Sequence, residues 1–162
     1  MSSDRAPFSV LFVCLGNICR SPAAEIIFTH MARERGIAER IAIDSAGTIG
    51  YHQGAPPDAR MTAALTKKGY DVFGASRQIV ADDLTRFDWI VTMDQQNFRN
   101  VCELDTHQKH VGKVRPFVGF CREHEVKDVP DPYYGGTRGF DFVIELLEDG
   151  CAAMLDELEK RV

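Results

Sequence analysis

The feature that most constrains this chain is the stretch at residues 10–22, VLFVCLGNICRSP. It opens with four apolar residues, a run short enough for a buried strand. The run stops at Cys14. Ser21 and Pro22 read as an N-cap and a first helical residue, and Ala24, Ile27, Phe28 and Met31 then recur at the spacing of one helix face. A thiol, Cys14, and a guanidinium, Arg20, therefore stand at the two ends of a loop formed by Leu15, Gly16, Asn17, Ile18 and Cys19. Backbone N–H groups of a tight loop, together with a helix N-terminus, make a concavity that binds anions. Arg20 adds a planar fork that grips two phosphate oxygens at once. The same positive field favours the thiolate of Cys14, which makes it a candidate nucleophile. Gly16 or Asn17 is expected to supply the left-handed backbone such a loop needs.

Strand-like and helix-like segments alternate along the chain. Strands are expected at residues 8–13, 41–43, 89–93 and 111–117, the last ending irregularly because of Pro116. Helices are expected at 21–35, from Pro56-Pro57-Asp58 to Gly69, at 81–87, from Asp94 to about Cys102, and at 140–158. Residues 44–48 and 119–137 read as loops. This order predicts an α/β fold in one domain: a four-stranded parallel sheet with helices on both faces, flavodoxin-like in layout. A chain of 162 residues suits one core, with 1–6 as a flexible tail and 7–162 as the domain. Ligands of such sheets bind beyond the carboxyl ends of the strands, at a topological switch point. The Cys14 loop follows the first strand and so falls at the correct edge.

Charge and cysteine usage remove other classes. The formal net charge is −5 and no Lys/Arg cluster stands out, which argues against nucleic acid as a partner. No apolar run reaches membrane-spanning length, and the opening MSSDRAPFSV lacks the apolar core of a signal peptide. A cytoplasmic protein without membrane insertion is expected. Five cysteines form no disulfide-framework spacing. Cys14 and Cys19 share one loop, the layout of a nucleophilic thiol beside a resolving one; the plainer reading of Cys19 is a small packing residue. The five histidines show no ligand spacing, so neither a metal nor another cofactor is expected. The loop has neither a Gly-Lys-Ser/Thr ending nor GxGxxG, which sets nucleotide binding aside.

Where the bound anion is a phosphate ester and the thiolate attacks it, a basic leaving oxygen needs a proton, so a general acid must stand across from the nucleophile. The candidate is Asp131, in the shaped stretch DVPDPYYGG, where Pro132 pushes it towards an extended conformation. An Asp-Pro turn is the plainer reading.

Cys14, five residues, then Arg20 and Ser21 form the signature loop of the protein tyrosine phosphatases. The wording CLGNICRSP near the N-terminus resembles the low-molecular-weight class, and the resemblance runs along nearly the whole chain. It implies hydrolysis of phosphotyrosine and small aryl phosphates through a cysteinyl-phosphate, acting on phosphotyrosine-containing proteins or peptides as a monomer. It implies that Asp131 opens the family's Asp-Pro-Tyr acid loop. Asn17 is then the side chain that fixes the loop, Ser45 in DSAGT its partner, and Ser21 the hydroxyl that serves the Cys14 sulfur. Tyr51, Tyr133 and Tyr134 become aromatic walls for the substrate ring, and Cys14 with Cys19 a redox pair. Two positions bear on substrate and support. Many members carry a His before Arg77-Gln78 that bonds the loop Asn; here that stretch is Phe73-Gly74-Ala75-Ser76, so Asn17 needs another anchor. Relatives that prefer phosphoarginine carry Thr where this chain has Ile18. Two rivals are kept. An arsenate reductase-like redox enzyme would need two further shuttling cysteines; Cys102 and Cys121 stand nineteen positions apart, wider than the close pair of that class, and such chemistry has no use for Asp131. A non-catalytic phosphotyrosine-binding module should lack the nucleophile or the acid.

Overall fold

The computed structural model describes residues 6–132 and 136–162, with the backbone alone at 136–138. In chain order the elements are β1 (Phe8–Cys14), α1 (Arg20–Glu34), β2 (Ile41–Gly47), α2 (Ala59–Lys67), α3 (Ala81–Arg86), β3 (Trp89–Thr92), α4 (Gln95–Leu104), β4 (Val114–Pro116) and α5 (Gly136–Glu159). The four strands are parallel, in the order β2-β1-β3-β4.

The strand pleat divides the core into two layers. Val10, Phe12 and Cys14 of β1, with Trp89 and Val91 of β3, face a cluster built by α1, α2 and α5. Leu11 and Val13, with Ile90, face a smaller cluster formed with Leu84 of α3, Val101 of α4 and Val114 of β4. Both faces of β1 are buried, one in each core layer, which is why its sequence is a continuous apolar run rather than an alternation. Phe12 meets Phe28 of α1 edge-to-face at 5.4 Å. α5 carries a glycine in its interior, Gly150. A Cβ there would run into the ring of the fully buried Phe117, so the missing side chain lets that ring seat against the helix.

Several boundaries differ from the sequence expectation. α1 begins at Arg20 with Cys19 as its N-cap, so Ser21 is not a cap; its hydroxyl turns inward instead. β2 runs on through the polar stretch to Gly47, where the sequence reads as loop from Asp44. Pairing with β1 over its whole length, from Phe8 with Ile41 to Cys14 with Gly47, overrides the local turn preference of Asp-Ser-Ala-Gly. The fourth strand is only Val114–Pro116, flanked by short 3₁₀ turns at Val111–Lys113 and Phe117–Phe120. α5 starts four residues earlier than its apolar periodicity. The reading of 1–6 as a flexible tail falls, but for Ala6, outside the described residues.

Candidate active site

The loop at 14–20 is shaped by where its carbonyls go. Thr48 N–H donates to the Cys14 carbonyl at 2.9 Å, Ile49 N–H to Leu15 at 3.1 Å, and Asp58 N–H to Ile18 at 2.8 Å. Ser76 Oγ donates to the Gly16 carbonyl at 3.0 Å, and Ala23 N–H to that of Cys19 at 3.1 Å. In a planar trans peptide the carbonyl and the following N–H point in opposite directions. With these carbonyls bonded outward, the N–H groups of residues 15, 16, 17, 19 and 20 turn into the hollow. The N-terminus of α1 opens on the same hollow and adds the positive end of its dipole.

The turn that permits this is Asn17, with φ of +56°; Gly16 does not take the left-handed conformation. Three hydrogen bonds hold the Asn17 side chain. Its Nδ2 donates to Ser21 Oγ at 2.8 Å and to Ser45 Oγ at 3.0 Å, and its Oδ1 accepts from the Arg77 backbone N–H at 3.0 Å. The anchor missing from the Phe73-Gly74-Ala75-Ser76 stretch is thus supplied by main chain one residue later. Gly47 makes the other close approach: a Cβ there would lie 2.7 Å from the Leu15 carbonyl oxygen.

Cys14 Sγ stands 3.0 Å from Ser21 Oγ, and both residues are buried. Towards a thiolate the hydroxyl is the donor, and such a bond stabilises the anion. Arg20 is 3% exposed, so its charge must be matched. Its Nη1 donates to Asp94 Oδ2 at 2.7 Å and to the Val129 carbonyl at 3.1 Å, while Nη2 lies 3.8 Å from Asp131 Oδ2. Burial works against this cation, but Cys14, Asp94 and Asp131 outweigh it and push its pKa up. Asp94 is therefore a residue the sequence reading missed. It was legible only as the start of α4, whose N-cap it is, accepting from Asn97 N–H at 2.8 Å. Its second task comes from lying beyond the carboxyl end of β3, next to β1, where the sheet order places the switch point.

Asp131 comes to the site because the chain before it is stitched to the end of β3. Val129 N–H donates to the Met93 carbonyl at 2.8 Å, and Gln95 N–H to Asp128 Oδ1 at 3.0 Å. One pocket of about 230 Å³ collects Cys14, Leu15, Gly16, Ile18, Cys19, Arg20 and Asp131. Its rim is Ile49, Tyr51 and His52. Tyr51 is 83% exposed and meets His52 edge-to-face at 4.8 Å. His52 packs so closely on the loop that a Cβ at Gly16 would lie 3.0 Å from its Cδ2. Its place at the rim, like that of Ile49, had no signal in the sequence. Tyr133 and Tyr134 lie outside the described residues. Cys19 lines the pocket but burial, with Asp58 and Cys14, raises its thiol to about 12.

The arrangement defines a class: an α/β domain in which a loop after the first strand, a cysteine, a buried arginine and an aspartate line one hollow. The profile of the family "Low molecular weight phosphotyrosine protein phosphatase" matches residues 9–162. The human protein of that name is 36% identical, covering 96% of this chain and 98% of its own. A Synechocystis protein provisionally given the matching bacterial name is 46% identical over 94% of this chain and 98% of its own. The crystal structure of a protein tyrosine phosphatase from Entamoeba histolytica superposes with a TM-score of 0.91 at 41% identity, covering 94% and 97% of the two chains. The chain belongs to the low molecular weight phosphotyrosine protein phosphatase family.

Proposed function

We propose that the chain hydrolyses phosphotyrosine in proteins or peptides, and small aryl phosphates, through a cysteinyl-phosphate. Cys14 attacks phosphorus in line and the phenolate leaves from the opposite side. Arg20 and the amides of the loop from Leu15 to Arg20, those of residues 15, 16, 17, 19 and 20 foremost, hold the equatorial oxygens as charge develops on them. Asp131 protonates the leaving oxygen, then takes a proton from the water that attacks the cysteinyl-phosphate. Ser21 donates to the Cys14 sulfur and eases its departure in that second step. The observation that carries this reading is the shared pocket. The Cys14 sulfur, the Arg20 guanidinium and the Asp131 carboxyl line one hollow, and the last two are 3.8 Å apart.

The apolar lining supports an aromatic ester. Leu15 and Ile49 are each 40% exposed and, with Ile18 and Tyr51, border the same hollow. Tyr133 and Tyr134 complete the walls in this reading. A monomer is part of this reading. A reducing cytoplasm would keep the five free cysteines as thiols. A peroxide, by transferring one oxygen to the Cys14 thiolate and leaving as water or an alcohol, would give a sulfenic acid; attack by the Cys19 thiol would then close a disulfide with loss of water, protecting the nucleophile.

The arsenate reductase-like rival is not favoured by the packing. Cys102 sits against the core layer of α3 and α4, whereas Cys121 sits against the layer of α1, α2 and α5 on the far side of the sheet. Neither lines the Cys14 pocket.

The test is a panel of phosphotyrosine, phosphoserine and phosphoarginine peptides with and without reductant. Turnover confined to phosphotyrosine and absent in Cys14→Ser is expected. Asp131→Ala should slow aryl phosphates by about 10²–10⁴, the share of a general acid, and slow a substrate with a very acidic leaving group much less. Equal slowing of both would remove the acid role.

A further inference from the structure

One partly buried carboxylate beside the loop has no part in the chemistry above. Glu25, in the second turn of α1, accepts from Ser45 Oγ at 2.6 Å. Ser45 Oγ accepts from Asn17 Nδ2 at 3.0 Å. The same amide donates to Ser21 Oγ at 2.8 Å, and Ser21 Oγ stands 3.0 Å from Cys14 Sγ. Five residues thus form an unbroken hydrogen-bonded chain from a carboxylate to the nucleophilic sulfur.

We propose that Glu25 is a positioning residue for the phosphate loop: its charge state sets how firmly Ser45 holds the Asn17 amide, and through Asn17 the shape of the hollow. The proposal rests on the phosphatase reading of that hollow. The polarity of the chain is its basis. Asn17 spends its amide hydrogens on two hydroxyls. Ser45 passes its own proton on to Glu25, and Ser21, whose hydroxyl also lies 3.4 Å from the Ala46 carbonyl, gives its proton to the sulfur when Cys14 is a thiolate. An ionised Glu25 draws the Ser45 proton away, makes Ser45 Oγ a stronger acceptor and tightens its hold on Asn17. A neutral Glu25 offers a weaker acceptor and a competing O–H donor. The bond to Asn17 then slackens at the one residue of the loop that holds a left-handed backbone, with φ of +56°.

The surroundings allow both charge states. Asp44 faces Glu25 from β2, and Arg77 faces it from the segment before α3. Arg77 is shared with two carboxylates, reaching Asp44 at 3.0 Å and Asp83 of α3 at 2.9 Å. On the other side a narrow cleft is walled by Pro22, Pro57, Gly74, Ala75 and Ser76, none of which titrates. Burial is the chief reason that the Glu25 carboxyl is raised from 4.5 to about 7; Asp44 adds to it, and Ser45 and Arg77 oppose it.

The experiment compares wild type, Glu25→Gln, Ser45→Ala and the double variant between about pH 5.5 and 8.5. It reads kcat/KM for an aryl phosphate and the affinity for inorganic phosphate. Gln keeps the shape and an acceptor oxygen without the charge, so it mimics neutral Glu25. The ratio of wild type to Glu25→Gln cancels the titrations of substrate, Cys14 and Asp131. It should be near one at the acid end and rise to about three- to tenfold at the alkaline end, the worth of a charge-assisted bond over a neutral one. In the Ser45→Ala background the rise should vanish, because the chain is cut. A ratio that stays flat with pH overturns the proposal, as does a rise that persists without the Ser45 hydroxyl. A wild type inert to aryl phosphates at every pH would sink the phosphatase reading instead, while phosphate affinity would still decide the role of Glu25.

Discussion

At the residue scale, the site shows that groups near the sulfur are held by partners far away in sequence. Asn17 is fixed by Ser21, Ser45 and Arg77, which are 4, 28 and 60 positions distant. Glu25 makes this costly for the fold. Its folded pKa of about 7 lies above the ordinary 4.5, so the native state binds its proton more tightly than the unfolded chain does. The sign follows: this contribution is favourable below pH 4.5 and is lost as pH rises to about 7. Glu25→Gln should therefore leave stability nearly unchanged in acid and raise it by about 1–3 kcal/mol at mildly alkaline pH. Thermal unfolding of both proteins across that range checks it, and equal differences at both ends would refute it. Cys14, Arg20 and Ser21 were legible in the sequence because their spacing on one strand–loop–helix unit is local. The inward turn of the Ser21 hydroxyl followed from the family resemblance alone, because Ser before Pro by itself reads as a cap.

At the element scale, two glycines are sites of contact between elements rather than turns. Gly47, the last residue of β2, lets the strand end touch the phosphate loop. In Gly47→Ala the new Cβ would crowd the Leu15 oxygen at 2.7 Å and the Asn17 nitrogen at 3.1 Å. Displacing the loop in this way should cut kcat/KM by about 10- to 100-fold, with KM for aryl phosphate raised. Unchanged steady-state kinetics would show that the loop tolerates the methyl. Gly150 lies inside α5, where helix propensity alone favours Ala by about 1 kcal/mol. The clash with the buried Phe117 ring should reverse that sign. Gly150→Ala is expected to destabilise by about 1–3 kcal/mol, the cost of overpacking a filled core. Denaturant unfolding decides between the two effects. Strand and helix identities followed from apolar period, but β2 outran its expected end and β4 fell short. Their limits are set by which strand lies alongside, and that partner is distant in sequence.

At the scale of the whole molecule, the sheet order brings the ends of β1 and β3 together, with the Cys14 loop on one and Asp94 on the other. The chain at 128–131 is drawn back to the same edge through Met93 and Gln95. The sheet also separates Cys102 from Cys121. Replacing both by Ser should leave turnover of aryl phosphates intact; its abolition would point to a disulfide relay. No helix among the described residues is long and apolar enough to cross a membrane.

By itself the sequence determined the strand–loop–helix unit, the thiol and guanidinium at its ends, the parallel α/β class and the candidate acid. The first three are encoded in spacing and periodicity along the chain, and the acid in the resemblance of the Asp131-Pro132-Tyr133 stretch to the family's acid loop. Only the tertiary structure decided that Asp94 matches the charge of Arg20, that main chain at Arg77 anchors Asn17, that His52 lies on Gly16, and that Glu25 ends a chain of hydrogen bonds from the sulfur. Burying a charge or an amide makes a partner obligatory. Which residue serves is settled by whatever the fold happens to bring within about 3 Å, the reach of a hydrogen bond.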